Sequence, residues 1–376
     1  MTLSSNDFAR TLCFSEWPFG VVPDAERVLI WADRRELLSQ LHRMTRRLSG
    51  SPNSTLHLLW ADFGAGKTHT LLYLRQILQS GSKGVFPIYT VLPKETRSFT
   101  DVYRAIVSSI TTEELVRTYR TVVKGPSAPS PGPLIGDKWN SVLAVLKALS
   151  MGSDAIRDSA RKWISADQSL SQRELSGASL PDKIRTADDA IAALSSLARL
   201  MSLSNTRILL MIDEFQRTGR LRSGVRNDIQ AGLRTCFSNC PKGLSMILSF
   251  KFGDAKEVQT YLSEELRDLA DPQVIMIPVL DRTGAEEFLN DLLDKVKMPG
   301  AKSRMQHDVV GTLIERVSTV GTLKPRLISK TASLLFSEAA MDLDDGAIDS
   351  VSATYISDKF EQSLAIIANI AAEQEE

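Results

Sequence analysis

The stretch Ala61-Asp62-Phe63-Gly64-Ala65-Gly66-Lys67-Thr68 constrains the fold of this chain more than any other. It follows a short apolar run, Leu56–Ala61, of the length of a buried strand, and it opens a helical pattern over Lys67–Leu78. A strand that ends in a glycine loop and returns as a helix is the context a phosphate-binding loop requires. Glycines let the main chain wrap an anion with its N–H groups, and the helix N-terminus adds a favourable dipole. Phe63, Gly64, Ala65, Gly66, Lys67 and Thr68 are then the nucleotide-binding residues, with His69 beside them in the first helical turn. Lys67 is expected to reach the outer phosphates, and the Thr68 hydroxyl to ligate Mg²⁺. Ala61 stands where the pattern has glycine.

A bound triphosphate also needs an acidic metal site on a neighbouring strand. Ile208–Ile212 is five apolar residues followed by Asp213 and Glu214. In open α/β sheets ligands sit at the carboxyl ends of strands, so Asp213 is expected close to Thr68 as a Mg²⁺ ligand, directly or through water. Glu214 is expected to polarise the attacking water. An Asp-Glu pair beside a phosphate loop points to ATP hydrolysis with Mg²⁺. A nucleotide kinase would need an acceptor pocket that the sequence does not show.

Strand and helix patterns alternate around these motifs. Val85–Leu92, Leu244–Phe250 and Val274–Ile277 read as further strands, which argues for an α/β fold with a parallel sheet. Lys67 and Asp213 lie much further apart than one strand–helix unit requires, so the mostly helical segment 98–202 reads as an insertion. Within it, Gly125–Pro133 carries four prolines among glycine and serine and reads as a flexible surface loop. After Asp281 only helical patterns remain: Thr283–Val296, Met305–Val317, Pro325–Ala340 and Ala347–Ala372. The expected organisation is an N-terminal segment and helix on the core (1–51), an α/β core with its insertion (52–280), a helical lid (281–345), and a C-terminal helix with an acidic tail (346–376).

The order strand, phosphate loop, acidic strand, third strand and helical lid resembles the AAA+ ATPases. That resemblance implies a P-loop NTPase sheet and three further site residues. Ser249 lies where the family places its first sensor, a polar residue on the γ-phosphate, with Lys251 as runner-up. Gly321-Thr-Leu-Lys-Pro325-Arg326 looks like the second-sensor motif, with Arg326 folding onto the phosphates. Arg267, before the last strand, matches a finger inserted into a neighbouring subunit's site, which implies a homo-oligomer. The run Val28–Leu37 resembles the segment over the adenine in the origin-recognition (ORC/Cdc6-like) branch, carrying Arg34 and Arg35 to the base. Trp163-Ile-Ser-Ala, Glu174-Leu-Ser-Gly and Ile184–Asp188 resemble helices of ORC-like ATP-binding proteins from bacterial defence loci such as BREX-type systems. This implies phage defence or mobile-element biology and a protein partner from the same system.

The chain carries 45 basic and 45 acidic residues among 376, so nothing global draws it to nucleic acid. Locally, Arg217, Arg220, Arg222, Arg226 and Arg234 face only Asp228, a cluster suited to duplex DNA. Few residues follow Asp345, so no separate DNA-reading domain is expected. Cys13, Cys236 and Cys240 lack disulfide or zinc spacing and read as buried thiols. No stretch approaches the ~18 apolar residues of a membrane span, and the start has no signal core. A cytoplasmic protein is expected. Two functions compete: an ATP-hydrolysing AAA+ switch or loader acting on DNA or a partner, and an interaction protein in which ATP is a regulatory ligand and the insertion docks the partner.

Overall fold

The apolar runs form one parallel sheet. Its strands are β1 (Leu56–Ala61), β2 (Val85–Val91), β3 (Arg207–Asp213), β4 (Leu244–Lys251) and β5 (Ile275–Ile277), in the order β2-β3-β4-β1-β5. The structure, a computed structural model, describes residues 4–19, 31, 34–51, 53–81, 84–124, 138–203, 205–251, 261–270 and 274–372. The proline-rich segment 125–133, residues 28–30 and 32–33 of the N-terminal run, part of the 81–84 turn and the tail 373–376 lie outside the described residues. Val85 stands opposite Arg207 and Val91 opposite Asp213, while Ile208 pairs with Leu244. Every residue of β3 is buried, which is why its sequence is continuously apolar rather than alternating. Because the strands are parallel, the carboxyl ends of β1 and β3 share one edge of the sheet.

The chain forms two compact units. One comprises Gln40–Trp60 and Leu74–Ile275, and the other Met1–Ser39, Ala61–Tyr73 and Met276–Glu376.

The first of these holds most of the sheet and the insertion. Helices α4 (Phe99–Ser108), α5 (Thr112–Lys124), α6 (Lys138–Met151), α7 (Asp154–Ile164), α8 (Gln172–Gly177) and α9 (Ala187–Leu203) share one hydrophobic core with the strands. Phe99, Tyr103, Trp163 and Leu197 belong to the same buried cluster as Ile208, Leu210 and Phe250. A Cβ on Gly232 would come within 2.4 Å of the Phe99 ring, so α10 (Ser223–Asn239) approaches α4 through a glycine. Arg207 closes the base of β3 by donating from Nη1 to the Leu48 carbonyl at 2.6 Å and from Nη2 to that of Ser51. Cys236 and Cys240 are buried, and burial pushes both thiols up, Cys240 to about 12.

The second unit is helical. After the short helix α11 (Glu264–Asp268) of the first unit come α12 (Arg282–Val296), α13 (Val309–Val320), α14 (Pro325–Asp344), α15 (Ala353–Gln362) and α16 (Leu364–Ala372). Ala9, Leu12, Phe14, Trp17 and Phe19 of the N-terminal segment are buried with Leu289, Leu313, Phe336 and Phe360 of these helices. Trp17 meets Phe19 edge-on at 5.3 Å, and Phe19 meets Phe336 at 5.6 Å. The last helical stretch is two helices rather than the single one expected. A new N-cap, Ser352, accepts from the Tyr355 N–H, and α15 ends at Ser363, whose N–H donates to Lys359 and Phe360.

Candidate functional site

Of the residues expected to bind phosphate, Phe63, Gly64, Ala65 and Gly66 lie between β1 and α3 (Lys67–Gly81), and Lys67, Thr68 and His69 form the first turn of α3. Gly64 and Gly66 have φ of 75° and 101°, left-handed values that turn the loop sharply and that side chains rarely tolerate. Lys67 is 6% exposed, and its Nζ donates to the Ala61 carbonyl at 2.9 Å and the Asp62 carbonyl at 3.0 Å. The ammonium is therefore held inside the loop rather than extended into water. His69 lies 6.1 Å from the Trp31 ring, and Trp31 also meets Tyr73 at 4.7 Å.

Two residues expected near the nucleotide do reach the loop. Arg34 donates from Nη1 to the Ala65 carbonyl at 2.5 Å and from Nη2 to the Pro278 carbonyl at 2.8 Å. The Arg326 guanidinium lies 4.9 Å from the centre of the Phe63 ring, and its backbone N–H donates to the Gly64 carbonyl at 3.3 Å. Pro325 opens α14 with a fixed φ and no N–H to satisfy, which sets Arg326 in the first turn. Arg35 is exposed at the start of α2 (Arg35–Gly50).

Sequence reasoning missed Lys324. It is 5% exposed, and its Nζ meets the Asp62 carboxylate at 2.7 Å. Burial raises the Asp62 carboxyl, but the Lys324 ammonium and the Phe63 N–H outweigh it, and the net shift is downward. Asp62 is half-exposed and Lys324 is not, so the two halves of this pair are unequal. Asp62→Ala should strand a buried ammonium, whereas Lys324→Met leaves a carboxylate that water can reach. Urea unfolding should show Asp62→Ala the less stable of the two by on the order of 2 kcal/mol; equal losses would refute this.

The acidic residues sit at the end of β3 among a separate set of partners. Asp213 is 1% exposed. Its Oδ1 accepts from the Ser249 hydroxyl at 2.8 Å and the Glu214 N–H at 2.8 Å, and its Oδ2 accepts from Tyr89 at 3.2 Å. Ser249 is fully buried and orients Asp213 in this structure. Glu214 has φ 59° and ψ 34°, a left-handed backbone costing a non-glycine residue about 1–3 kcal/mol and concentrated at functional positions. Its Oε2 accepts from Gln216 Nε2 at 3.1 Å and lies 3.5 Å from Arg217 Nη2. Gln216 in turn accepts the Lys251 N–H at 3.1 Å, tying Glu214 to the end of β4.

Arg217 is thus not a free member of the basic cluster, since it also donates to the Leu92 carbonyl at 2.6 Å. Arg220, Arg222 and Arg234 are exposed and Arg226 is half-buried. Arg267 is half-buried in α11, with its Nε buried and unpartnered. Among the described residues no group of three His, Cys, Asp or Glu could hold a metal ion, and no helix is long and apolar enough to cross a membrane.

No protein-family model and no curated protein matches the chain. Solved structures do. The Aeropyrum pernix ORC1 protein in complex with DNA matches at TM-score 0.50 and 14% identity, over 92% of this chain and 69% of that one. The Aeropyrum pernix ORC2 protein in its ADPNP–ADP complexes matches at 0.50 and 13%, over 88% and 70%. The Drosophila ORC bound to DNA matches at 0.48 and 12%, over 90% of this chain and 65% of that one. The chain thus spans about two thirds of these solved chains, and its α/β sheet with C-terminal helices matches the fold of the two Aeropyrum pernix ORC structures.

Proposed function

We propose that the chain is an ATP-binding and ATP-hydrolysing AAA+ switch that acts on DNA or a partner protein. Two features, each within its own unit, support this reading: a glycine loop closed around Lys67 after β1, and a buried, hydrogen-bonded Asp213 followed by a left-handed Glu214 at the end of β3. The residues suit the ligand. The positive-φ glycines leave main-chain N–H groups room to face an anion, and the Thr68 hydroxyl and Asp213 carboxylate are the hard oxygen donors that Mg²⁺ prefers.

In this reading Phe63–His69 hold the phosphates, with Lys67 exchanging its two carbonyl partners for phosphate oxygens. Thr68 and Asp213 hold Mg²⁺, which when bound neutralises phosphate charge. Glu214 takes the proton of the attacking water, Ser249 fixes Asp213, and Gln216 fixes Glu214. Arg34 and Arg326 brace the loop that must open to admit the ligand, while Arg35 is assigned to the nucleotide base. Arg267 reaches into a neighbouring subunit's site, so the active form is a homo-oligomer. Arg220, Arg222, Arg226 and Arg234 meet DNA phosphate; the DNA-bound state of the Aeropyrum pernix ORC1 structure favours that partner. Phage defence or mobile-element biology, with a partner from the same system, rests on the resemblance of the insertion alone.

The test is ATP binding by titration with a fluorescent analogue. Lys67→Ala should weaken binding about 10–100-fold, the effect of losing a charged hydrogen-bond donor of about 1.5–3 kcal/mol. Unchanged affinity would remove the phosphate loop from the reading.

A further inference from the structure

The helical unit carries a cationic surface that the arginine cluster does not include. Between Asp294 and Asp308 stand Lys295, Lys297, Lys302, Arg304 and His307, with no acidic residue among them. Lys295 is engaged, donating to the Trp31 carbonyl. Lys297, Lys302, Arg304 and His307 are exposed.

Other cations of this unit are paired within it. Arg282 meets Glu286 and Glu315, both at 3.1 Å, Arg316 meets Glu361 at 3.0 Å, and Lys359 meets Asp342 at 3.0 Å. Among the described residues, Lys297, Lys302 and Arg304 take no part in any such pair. An exposed cation with no ion-pair partner is available to an external anion.

The backbone beneath these side chains is held at both ends. Before the loop, the Ser15 N–H donates to Val296 at 2.7 Å and the Met298 N–H to Cys13 at 2.9 Å. Beyond it, the Val351 N–H donates to Arg304 at 2.8 Å and the Gln306 N–H to Val351 at 3.0 Å. Gly300, at φ 76°, makes the turn between them. Binding there costs side-chain ordering and no loop ordering.

The chemistry of the loop narrows the occupant. Residues 295–308 include no Phe, Tyr or Trp on which bases could stack, which disfavours single strands. None of the exposed large hydrophobic residues lies in the loop, which leaves nothing to insert into a bilayer or to anchor a protein partner. Three exposed cations on a fixed backbone, without stacking or apolar contact, suit the regular phosphates of a duplex.

We propose that the loop between α12 and α13 is a duplex-DNA phosphate-binding surface, formed by Lys297, Lys302 and Arg304, distinct from the 220–234 arginines. It needs neither ATP nor Glu214, so it stands or falls apart from the hydrolysis reading.

The test is fluorescence anisotropy of a labelled random-sequence duplex with the full chain across a salt series. Three chains are compared: native, Lys297→Gln/Lys302→Gln/Arg304→Gln, and Arg220→Gln/Arg222→Gln/Arg234→Gln. Each phosphate contact contributes about 0.9 to the slope of log affinity against log salt. The lid-loop variant should lose affinity at least ~10-fold at low salt, and its slope should fall by about 2–3. A charge-preserving Lys297→Arg/Lys302→Arg variant should bind as the native chain does, and the circular dichroism of all variants should match. Native-like affinity and slope in the lid-loop variant would overturn the proposal while leaving the 220–234 cluster standing. No duplex binding by the native chain would overturn both. Tighter binding of poly-glutamate than of duplex, lost in the lid-loop variant, would assign the surface to an acidic protein and also overturn it.

Discussion

Glu214→Gln should lower ATP turnover by about 10²–10⁴-fold, the range for removing a positioned general base, while ATP affinity stays within a few-fold. The substitution keeps the shape of the side chain and removes its capacity to take a proton. The left-handed backbone at Glu214 is set by the β3 exit and by its N–H on Asp213, so it should survive the change. Gln216 can still donate to the remaining carbonyl oxygen, and Arg217 keeps its contact with the Leu92 carbonyl. The loss therefore reports chemistry rather than a collapsed turn. Turnover is measured at saturating ATP, with affinity determined separately by titration. A variant that hydrolyses within a few-fold of the native chain would remove Glu214 from its role. A native chain that binds ATP but never turns it over, with or without DNA, would favour the reading of ATP as a regulatory ligand.

The glycine loop before Lys67 and the carboxylates at the end of β3 were legible as local structure, because backbone geometry fixes residue type at fixed spacing. Glycine must occupy left-handed positions such as Gly64 and Gly66, and a carboxylate must end a buried strand. Lys324 was not legible, because what makes it matter is burial against Asp62, and burial is a property of the folded chain. Arg217 misled in the opposite direction. Counted along the sequence it adds to a basic cluster, but the turn Phe215–Arg220 returns it to Glu214 and the Leu92 carbonyl. The run around Lys297 and Arg304 was hidden for a related reason. A cation is informative only when its neighbours' pairings are known, and those pairings join residues such as Arg316 and Glu361 that are distant in sequence. Nor does anything along the sequence pair Phe19 with Phe336, because that contact joins residues hundreds of positions apart.

Trp163→Ala tests what the insertion is. Its ring is fully buried, and Nε1 donates to the carbonyls of Pro181 at 3.0 Å and Asp182 at 3.1 Å. Next to it, the Tyr103 hydroxyl donates to the Ile164 carbonyl at 2.8 Å, joining α4 to α7. Truncation should cost about 3–5 kcal/mol, from lost burial, the cavity left behind and two unpaired carbonyls. That is a large share of the ~5–15 kcal/mol by which a domain is stable. Because Trp163 belongs to the same buried cluster as Ile208, Leu210 and Phe250, the damage should not stay within the insertion. Urea unfolding should show the insertion and the sheet lost together, at lower denaturant than in the native chain. An insertion that unfolded in a separate early transition would make it an appended partner-docking domain. One that unfolds with β3 makes it part of the support for Asp213 and Glu214, so that a partner gripping its outer helices would strain the same core that holds the two carboxylates in place.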